Sequence, residues 1–414
     1  FERYAGTHNQ TAKHYTASMA KALVGGVSLA LALTDGRMAL DDRTSKYVPQ
    51  WAHDPAKSRI TIRHLGSHTS GLADAEEGGL PHEKLTGWPG DFWKRLPSPN
   101  DPFSISRDKT PVLFEPGAGF QYSNPGLAML GYAITSALKQ APEKDLRSLL
   151  RDRVLRPIGV PDADWSIGYG QTVHIDGLLI VGTWGGGNFT ARAVARVGRL
   201  MLRQGDWEGR RLIAATAVEA VTTDAGTPRN GGMGWWSNND GTIEKLPRDA
   251  FWGAGAGHQV LLVIPSLGLI AVRNGEALNP AKPYDAALRE HFFEPLMRAV
   301  NSANGSGRDV EWPAQTWKKV SPAEAGMNEE QLRQAREYAL TGGGSGMITR
   351  SGKLILAWGD PTALYDLKST SKSIGVTSLG LALLDGKVKL DDRAKQHHPT
   401  FGVPPESNAQ TGWL

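Results

Sequence analysis

Apolar residues fill positions 22–33 almost without a break, and Asp35-Gly36 ends the run. That pattern predicts a buried helix over residues 17–34 with a glycine stop. Nearly the same text returns far downstream. Ser18-Met19-Ala20-Lys21, the apolar run, Asp35-Gly36 and Leu40-Asp41-Asp42-Arg43 are matched by Ser369-Thr370-Ser371-Lys372, a slightly shorter run, Asp385-Gly386 and Leu390-Asp391-Asp392-Arg393. Between them, 191–204 alternates as an amphipathic helix closed by Gly205. Residues 231–237, 259–264 and 268–273 are rich in Val, Ile, Leu and Trp and read as strands, the last two joined at Pro265-Ser266. Residues 1–4 read as the end of a strand, 60–165 as helix and loop, and 284–300 as a closing helix.

Residues 301–308 form a polar Gly/Ser-rich stretch, so the chain is read as a domain over 1–300, a linker over 301–311 and a second segment over 312–414. The second segment opens with a helix at 328–340 capped by Asn328. A hairpin of 345–350 and 353–358 follows, turned at Ser351-Gly352. A helix and a hairpin thus precede the second Ser-x-x-Lys. Only Phe1-Glu2-Arg3-Tyr4 lies well ahead of the first, matching the last strand of such a hairpin. The first copy therefore reads as lacking its N-terminal helix and hairpin, and the second as the N-terminal part of another unit. A tandem clipped at both ends gives this pattern. So does a permuted arrangement in which 312–368 supply edge strands to 1–300, and the two are compatible.

Composition narrows the function classes. The chain has 414 residues, a net charge of +4 and ordinary apolar and charged fractions. No Lys/Arg cluster suited to nucleic acid is present. The absence of cysteine excludes disulfides, thiolate metal sites and a cysteine nucleophile. No metal-ligand spacing and no phosphate-binding Gly-rich loop is found, so no metal or other cofactor is expected. The run 22–33 is too short to span a bilayer.

Ser-x-x-Lys occurs four times, at Ser18, Ser106, Ser136 and Ser369. Alone it is a weak signal, and Ser106 and Ser136 read as ordinary surface positions. Ser18 and Ser369 each open an apolar helix. Residues three apart share a helix face, so Lys21 can reach the Ser18 hydroxyl. Burial lowers a lysine's pKa and makes it a base. Tyr122-Ser123-Asn124 supplies a phenol in a loop ahead of a helix. Gly253-Ala254-Gly255-Ala256-Gly257 supplies small residues that let a strand backbone approach a substrate carbonyl.

This order of Ser-x-x-Lys, Tyr-x-Asn and a Gly-containing strand triad resembles the serine β-lactamase and penicillin-binding-protein superfamily. The Tyr-x-Asn form resembles class C β-lactamases, D-alanyl-D-alanine carboxypeptidases, family VIII carboxylesterases and 6-aminohexanoate-dimer hydrolases. Supporting matches are Leu40-Asp41-Asp42, the stretch from Ile60 to Leu65, Ser67-His68-Thr69-Ser70-Gly71-Leu72 and Glu115-Pro116-Gly117. The resemblance implies an α+β fold, an antiparallel sheet flanked by helices with a helical subdomain over about 60–190. It implies Ser18 as acylated nucleophile, Lys21 as its base, Tyr122 as proton shuttle and Asn124 as a positioning group. The backbone N–H groups of Ser18 and Ala256 would form an oxyanion hole beside Gly255, with His258 near the substrate.

One departure matters. The strand triplet is Gly253-Ala254-Gly255 where β-lactam- and peptide-cleaving relatives carry Lys-Thr-Gly, so the cation for a substrate carboxylate is missing. Neither His258 nor Arg273 stands at that position. Trp235, Trp236 and Trp252 are candidates for an apolar acyl pocket. The expected activity is hydrolysis of a small ester or amide through Ser18. The alternatives are a carboxypeptidase or β-lactamase, and a non-catalytic module that binds cell-wall fragments or penicillin. The second copy, with Ser369 and Lys372 but no Tyr-x-Asn or triad after it in this chain, is expected to be inactive.

Overall fold

The computed structural model describes residues 2–6, 8–223, 225–226, 231–304, 316–360, 362–366, 368–390 and 392–398. Phe1 of the expected first strand, 305–311 of the expected linker and Asp391 of the repeated motif lie outside them. The chain divides into two compact units, Phe1–Asn301 and Ser302–Leu414.

In the first unit, strands β1 (Lys13–Tyr15), β2 (Trp165–Ser166) and β3 (Asn188–Thr190) make a small sheet in the order β1-β3-β2. The main sheet is β4 (Trp236–Ser237), β5 (Phe251–Gly255), β6 (Gln259–Ile264) and β7 (Leu269–Arg273), each antiparallel to its neighbour. β6 and β7 join through Pro265–Leu267 and Gly268, whose φ of 57° lies in the left-handed region that favours glycine.

Every residue of β6 is buried, because the two-residue strand period feeds two cores. Leu261 and Val263 face one core with helices α1 (Ala17–Thr34), α2 (Asn124–Ala137) and α3 (Ala191–Leu202). Val260, Leu262 and Ile264 face the other. That second core is closed by helix α4, which starts at Tyr284–Leu288, continues through Arg289–Phe293 and Glu294–Asn304, and contributes Leu288, Phe293 and Met297. Further short helices between residues 44 and 165 form the helical subdomain. This is the expected α+β arrangement.

Helix α1 is not uniform. A tight turn, Ala17–Met19, leads into a wide π-type stretch, Lys21–Gly26, and then into regular helix, Val27–Thr34. Such π segments recur at functional sites. By length and composition its 18 residues could cross a membrane, which the shorter run 22–33 did not suggest, and 83% of it is buried inside the unit. A Cβ on Gly26 would meet Trp235 Nε1 and sit 2.7 Å from Met233 O, so the helix passes directly over that tryptophan.

In the second unit, α5 (Glu329–Leu340) is capped by Asn328, whose Oδ1 accepts from Gln331 N at 3.0 Å. Strands β8 (Gly346–Arg350) and β9 (Lys353–Trp358) form a hairpin with Ser351 and Gly352 both at positive φ, the twist a two-residue hairpin requires. Helix α6 (Ser371–Leu384) leaves Val376, Leu381 and Leu384 exposed. The two copies end their helices alike. Asp35, Gly36 and Arg37 donate to Leu31, Leu33 and Ala32, as Asp385, Gly386 and Lys387 donate to Leu381, Leu383 and Ala382. Asp42 and Asp392 then each accept from the backbone N–H three residues earlier.

Four local expectations change. Residues 2–4 form no strand; Glu2 instead pairs with Arg192 through both carboxylate oxygens. Residues 231–237 are mostly turn, because Gly234 at φ 75° packs against the Lys21 carbonyl, and only Trp236–Ser237 join the sheet. The closing helix runs on to Asn304, past the expected start of the linker. Ser106 is buried, its hydroxyl donating to Pro102 O at 2.6 Å.

The close pass of α1 over Trp235 makes a test of this packing. Gly26→Ala is expected to cost about 2–3 kcal/mol of stability, read as a lower urea midpoint; an unchanged midpoint would mean that α1 can shift away from Trp235.

Candidate functional site

Ser18 sits in the tight first turn of α1. The residue before it, Ala17, has φ 47°, a left-handed conformation that costs a non-glycine residue on the order of 1 kcal/mol. The hydroxyl of Ser18 has two polar partners. Tyr122 Oη donates to it at 2.8 Å, and Lys21 Nζ lies 2.9 Å away.

Lys21 is 3% exposed. Its Nζ also contacts Asn124 Oδ1 and the Trp184 carbonyl, each at 2.7 Å. These two partners accept only, so each takes one N–H. If the amine is neutral, both its hydrogens are thereby committed, and its lone pair faces Ser18 Oγ. Burial pushes the amine down to about 7, against the attraction of Asp74 and Glu76. A lone pair aimed at the serine is therefore available near neutral pH.

The orientation of Asn124 is fixed from behind. Asp74 Oδ1 accepts from Asn124 N at 2.8 Å, from Asn124 Nδ2 at 3.0 Å and from Ala75 N at 2.8 Å. The amide nitrogen is thereby turned away from Lys21 and the amide oxygen towards it. Burial pushes the Asp74 carboxyl up to about 6. Asn124 itself opens α2, where the Ser123 hydroxyl caps the helix by accepting from Gly126 N at 2.9 Å.

Tyr122 is held by a stack and by the Lys21 amine. His68 lies against its ring with centroids 4.6 Å apart, and Lys21 Nζ sits 4.8 Å from the ring centre. His68 Nδ1 accepts from Ser123 N at 3.1 Å, so the imidazole proton is on Nε2. Burial, aided by Lys21, holds His68 down to about 3, and hence neutral. Burial also keeps the Tyr122 phenol protonated, above its ordinary range. The phenol thus donates to Ser18, and Ser18 can donate to Lys21, which makes a continuous proton path.

The end of β5 abuts this cluster. A Cβ on Gly255 would meet Thr16 O and sit 2.9 Å from Ser18 N, so only glycine brings the strand so near. Ala256 follows and lines the pocket together with Ser18 and Tyr122. A Cβ on Gly253 would sit 2.9 Å from Ala22 Cβ, so no long cationic side chain fits there. The cavity beside Ser18 is about 510 Å³. Phe120, Trp236, Trp252, Leu288 and Phe293 give it apolar walls, and Glu76, Asp240, Asp285 and Arg289 are its charged members.

The structure therefore gathers Ser18, Lys21, Tyr122, Asn124, Gly255 and Ala256. It does not bring His258 into the pocket. His258 is buried, with Nε2 on the Tyr284 carbonyl at 3.2 Å and Nδ1 accepting from Leu278 N at 3.2 Å. Arg273 is likewise committed, to the carbonyls of Gly257 and His258 at 2.7 and 2.8 Å. Trp235 belongs to the core, while Trp236 and Trp252 line the pocket. Lys372 Nζ lies 2.7 Å from Ser369 Oγ, but both are exposed. Asp74 and the Trp184 carbonyl were not singled out from the sequence, and His68 stood there only as part of a matching stretch. Among the described residues no cluster of three His, Asp or Glu could hold a metal ion.

Comparison with known proteins gives a family and a fold. A family profile described as Beta-lactamase matches residues 1–291. Over 115 residues the chain is 33% identical to beta-lactamase-like protein str5 of Strobilurus tenacellus, a match covering 23% of this chain and 40% of that protein. The chain thus spans under half the length of this curated relative. A Bacillus anthracis protein provisionally described as a 6-aminohexanoate-dimer hydrolase has the same fold, with a TM-score of 0.56 at 18% identity over 73% of this chain and 76% of that one. A family VIII carboxylesterase aligns with a TM-score of 0.52 at 18% identity, over 69% and 84% of the two chains. A penicillin-binding protein homologue from Caulobacter crescentus aligns at 0.51 and 18%, over 70% and 85%.

The electrostatics give a direct expectation. The Lys21 amine is expected to titrate near pH 7 when followed by ¹⁵N NMR of its Nζ. Asp74→Asn removes a charge that stabilises the ammonium, so the midpoint should move to lower pH. A midpoint near that of a free lysine would contradict the burial argument.

Proposed function

The chain belongs to the beta-lactamase family, and on that premise we propose that it is a serine hydrolase cleaving a small ester or amide through an acyl-enzyme on Ser18. The observation that carries this reading is the committed geometry of Lys21. With Asn124 Oδ1 and Trp184 O taking its two hydrogens, a neutral amine has only the Ser18 hydroxyl to accept from.

The proposed steps use these groups in turn. Ser18 Oγ attacks the substrate carbonyl carbon and passes its proton to Lys21. The carbonyl oxygen becomes an oxyanion facing the backbone N–H groups of Ser18 and Ala256, each such donor worth on the order of 3 kcal/mol. Lys21 returns the proton through Tyr122 to the leaving oxygen or nitrogen as its bond to the carbonyl breaks. Water then attacks the ester on Ser18, giving its proton to the same path, and the acid leaves with Ser18 restored. Tyr122 serves as a neutral relay, since burial disfavours its phenolate.

The pocket bears on the substrate. Gly253 leaves no room for a cation at the strand triad, so a substrate recognised by a free carboxylate there, as in the carboxypeptidase and β-lactamase alternatives, is disfavoured. The aromatic walls suit an apolar acyl group. Residues 312–414 are proposed as the N-terminal part of a second unit. Ser369 and Lys372 are exposed, without the burial of Ser18 and Lys21, and Ser369 is expected to be silent.

Intact mass after exposure to a fluorophosphonate tests the reading. Wild type is expected to gain one adduct, Ser369→Ala to do the same, and Ser18→Ala to gain none. Lys21→Met should slow labelling by about 10²–10⁴-fold, the usual worth of a positioned general base. A folded wild type that takes up no phosphonate would leave the non-catalytic binding module as the better account.

A further inference from the structure

The oxyanion site proposed above depends on one peptide unit, Gly255–Ala256, at the point where β5 ends and the turn to β6 begins. Its first residue is a glycine, whose backbone has no side chain to restrict it. Ala256 can point its N–H at a substrate only if something fixes the plane of this peptide.

The structure offers one side chain for the task. Tyr284 Oη donates to the Gly255 carbonyl at 2.9 Å. Tyr284 lines the same cavity as Ser18, Gly255 and Ala256. In a trans peptide the carbonyl and the following N–H point in opposite directions. We propose that Tyr284 is a positioning residue for the oxyanion peptide, holding the Gly255 carbonyl to one side so that the Ala256 N–H faces the reacting carbonyl; this rests on the serine-hydrolase reading. The bond has a second effect. A carbonyl that accepts a hydrogen bond polarises its peptide, which makes the attached N–H a stronger donor.

Tyr284 is itself well fixed. Its ring stacks on His258 with centroids 4.3 Å apart and planes 7° from parallel. His258 is tied at both nitrogens, to the Tyr284 carbonyl and to Leu278 N. Arg273 holds the carbonyls of Gly257 and His258, the two residues at positive φ that close the turn. His258 and Arg273 thus support the oxyanion peptide from outside the pocket. Burial keeps the Tyr284 phenol protonated, so the donor persists through the working pH range.

Tyr284→Phe removes the donor and keeps the stacked ring. With active chains counted by fluorophosphonate uptake, kcat/KM for a p-nitrophenyl ester is expected to fall about 10–100-fold, less than the loss of a whole oxyanion donor. The KM should stay within about twofold. The inhibition constant of an arylboronic acid, which forms a tetrahedral adduct on the serine, should rise by the same factor as kcat/KM falls. A merely structural role would not couple these two quantities. Wild-type kcat/KM in the variant, or a loss confined to KM with boronate affinity unchanged, overturns the proposal. A folded wild type that takes up no phosphonate overturns the hydrolase reading and this one with it.

Discussion

The site depends on one buried amine. Lys21 lies in the core helix of the first unit at 3% exposure, with no carboxylate in direct contact. Charging it there is unfavourable, so the protein holds a base that water would have protonated. The groups packed around it keep that amine dry or direct its lone pair. The Trp184 carbonyl and Asn124 fix two hydrogens, Asp74 fixes Asn124, and His68 and Tyr122 cover the cluster.

Such a site is expensive to fold, and the expense is met by the surrounding core. Ala17 and His68 hold left-handed conformations beside the nucleophile and the phenol, and Gly255 docks against backbone at the distance a Cβ would occupy. Strained residues persist only where neighbours over-determine them. Here α1 is wedged between β5, β6 and α2, with Gly26 over Trp235 and Gly255 beside Ser18. The glycine that makes the approach possible brings no side chain of its own to the oxyanion peptide, and the Tyr284, His258 and Arg273 cluster holds its outer side.

Much of this was legible in the sequence, for reasons that differ by element. The helix of residues 17–34, the hairpin 259–273 and the turn at Ser351-Gly352 are written in local periodicity and turn chemistry, and they stand where expected. Ser18, Lys21, Tyr122 and Asn124 were readable because two motifs with fixed internal spacing converge. The supporting layer was not readable. Asp74 acts through Asn124, fifty positions away, and Trp184 contributes a carbonyl that any residue could supply. His258 looked like a site residue because it follows the glycine triad, but its φ of 57° turns it towards Tyr284 and away from the pocket. The strand expected at residues 231–237 is cut down to Trp236–Ser237 because Gly234, just ahead of it, turns at φ 75° and packs on the Lys21 carbonyl of α1. Ser369 and Lys372 repeat the local contact of Ser18 and Lys21 without its burial, so the motif alone does not make the base.

The central claim is that Ser18 becomes covalently acylated because Lys21 is neutral beside it. A rapid-mixing experiment with a p-nitrophenyl ester, read both as released p-nitrophenol and as the mass of the quenched chain, addresses it most directly. The account expects a first turnover that releases up to one p-nitrophenol per chain, an acyl mass increment on the peptide containing Ser18, and a rate of acylation that climbs as pH rises through about 7. Ester hydrolysis that proceeds undiminished in Ser18→Ala, with no acyl mass on the wild-type Ser18 peptide, would contradict it.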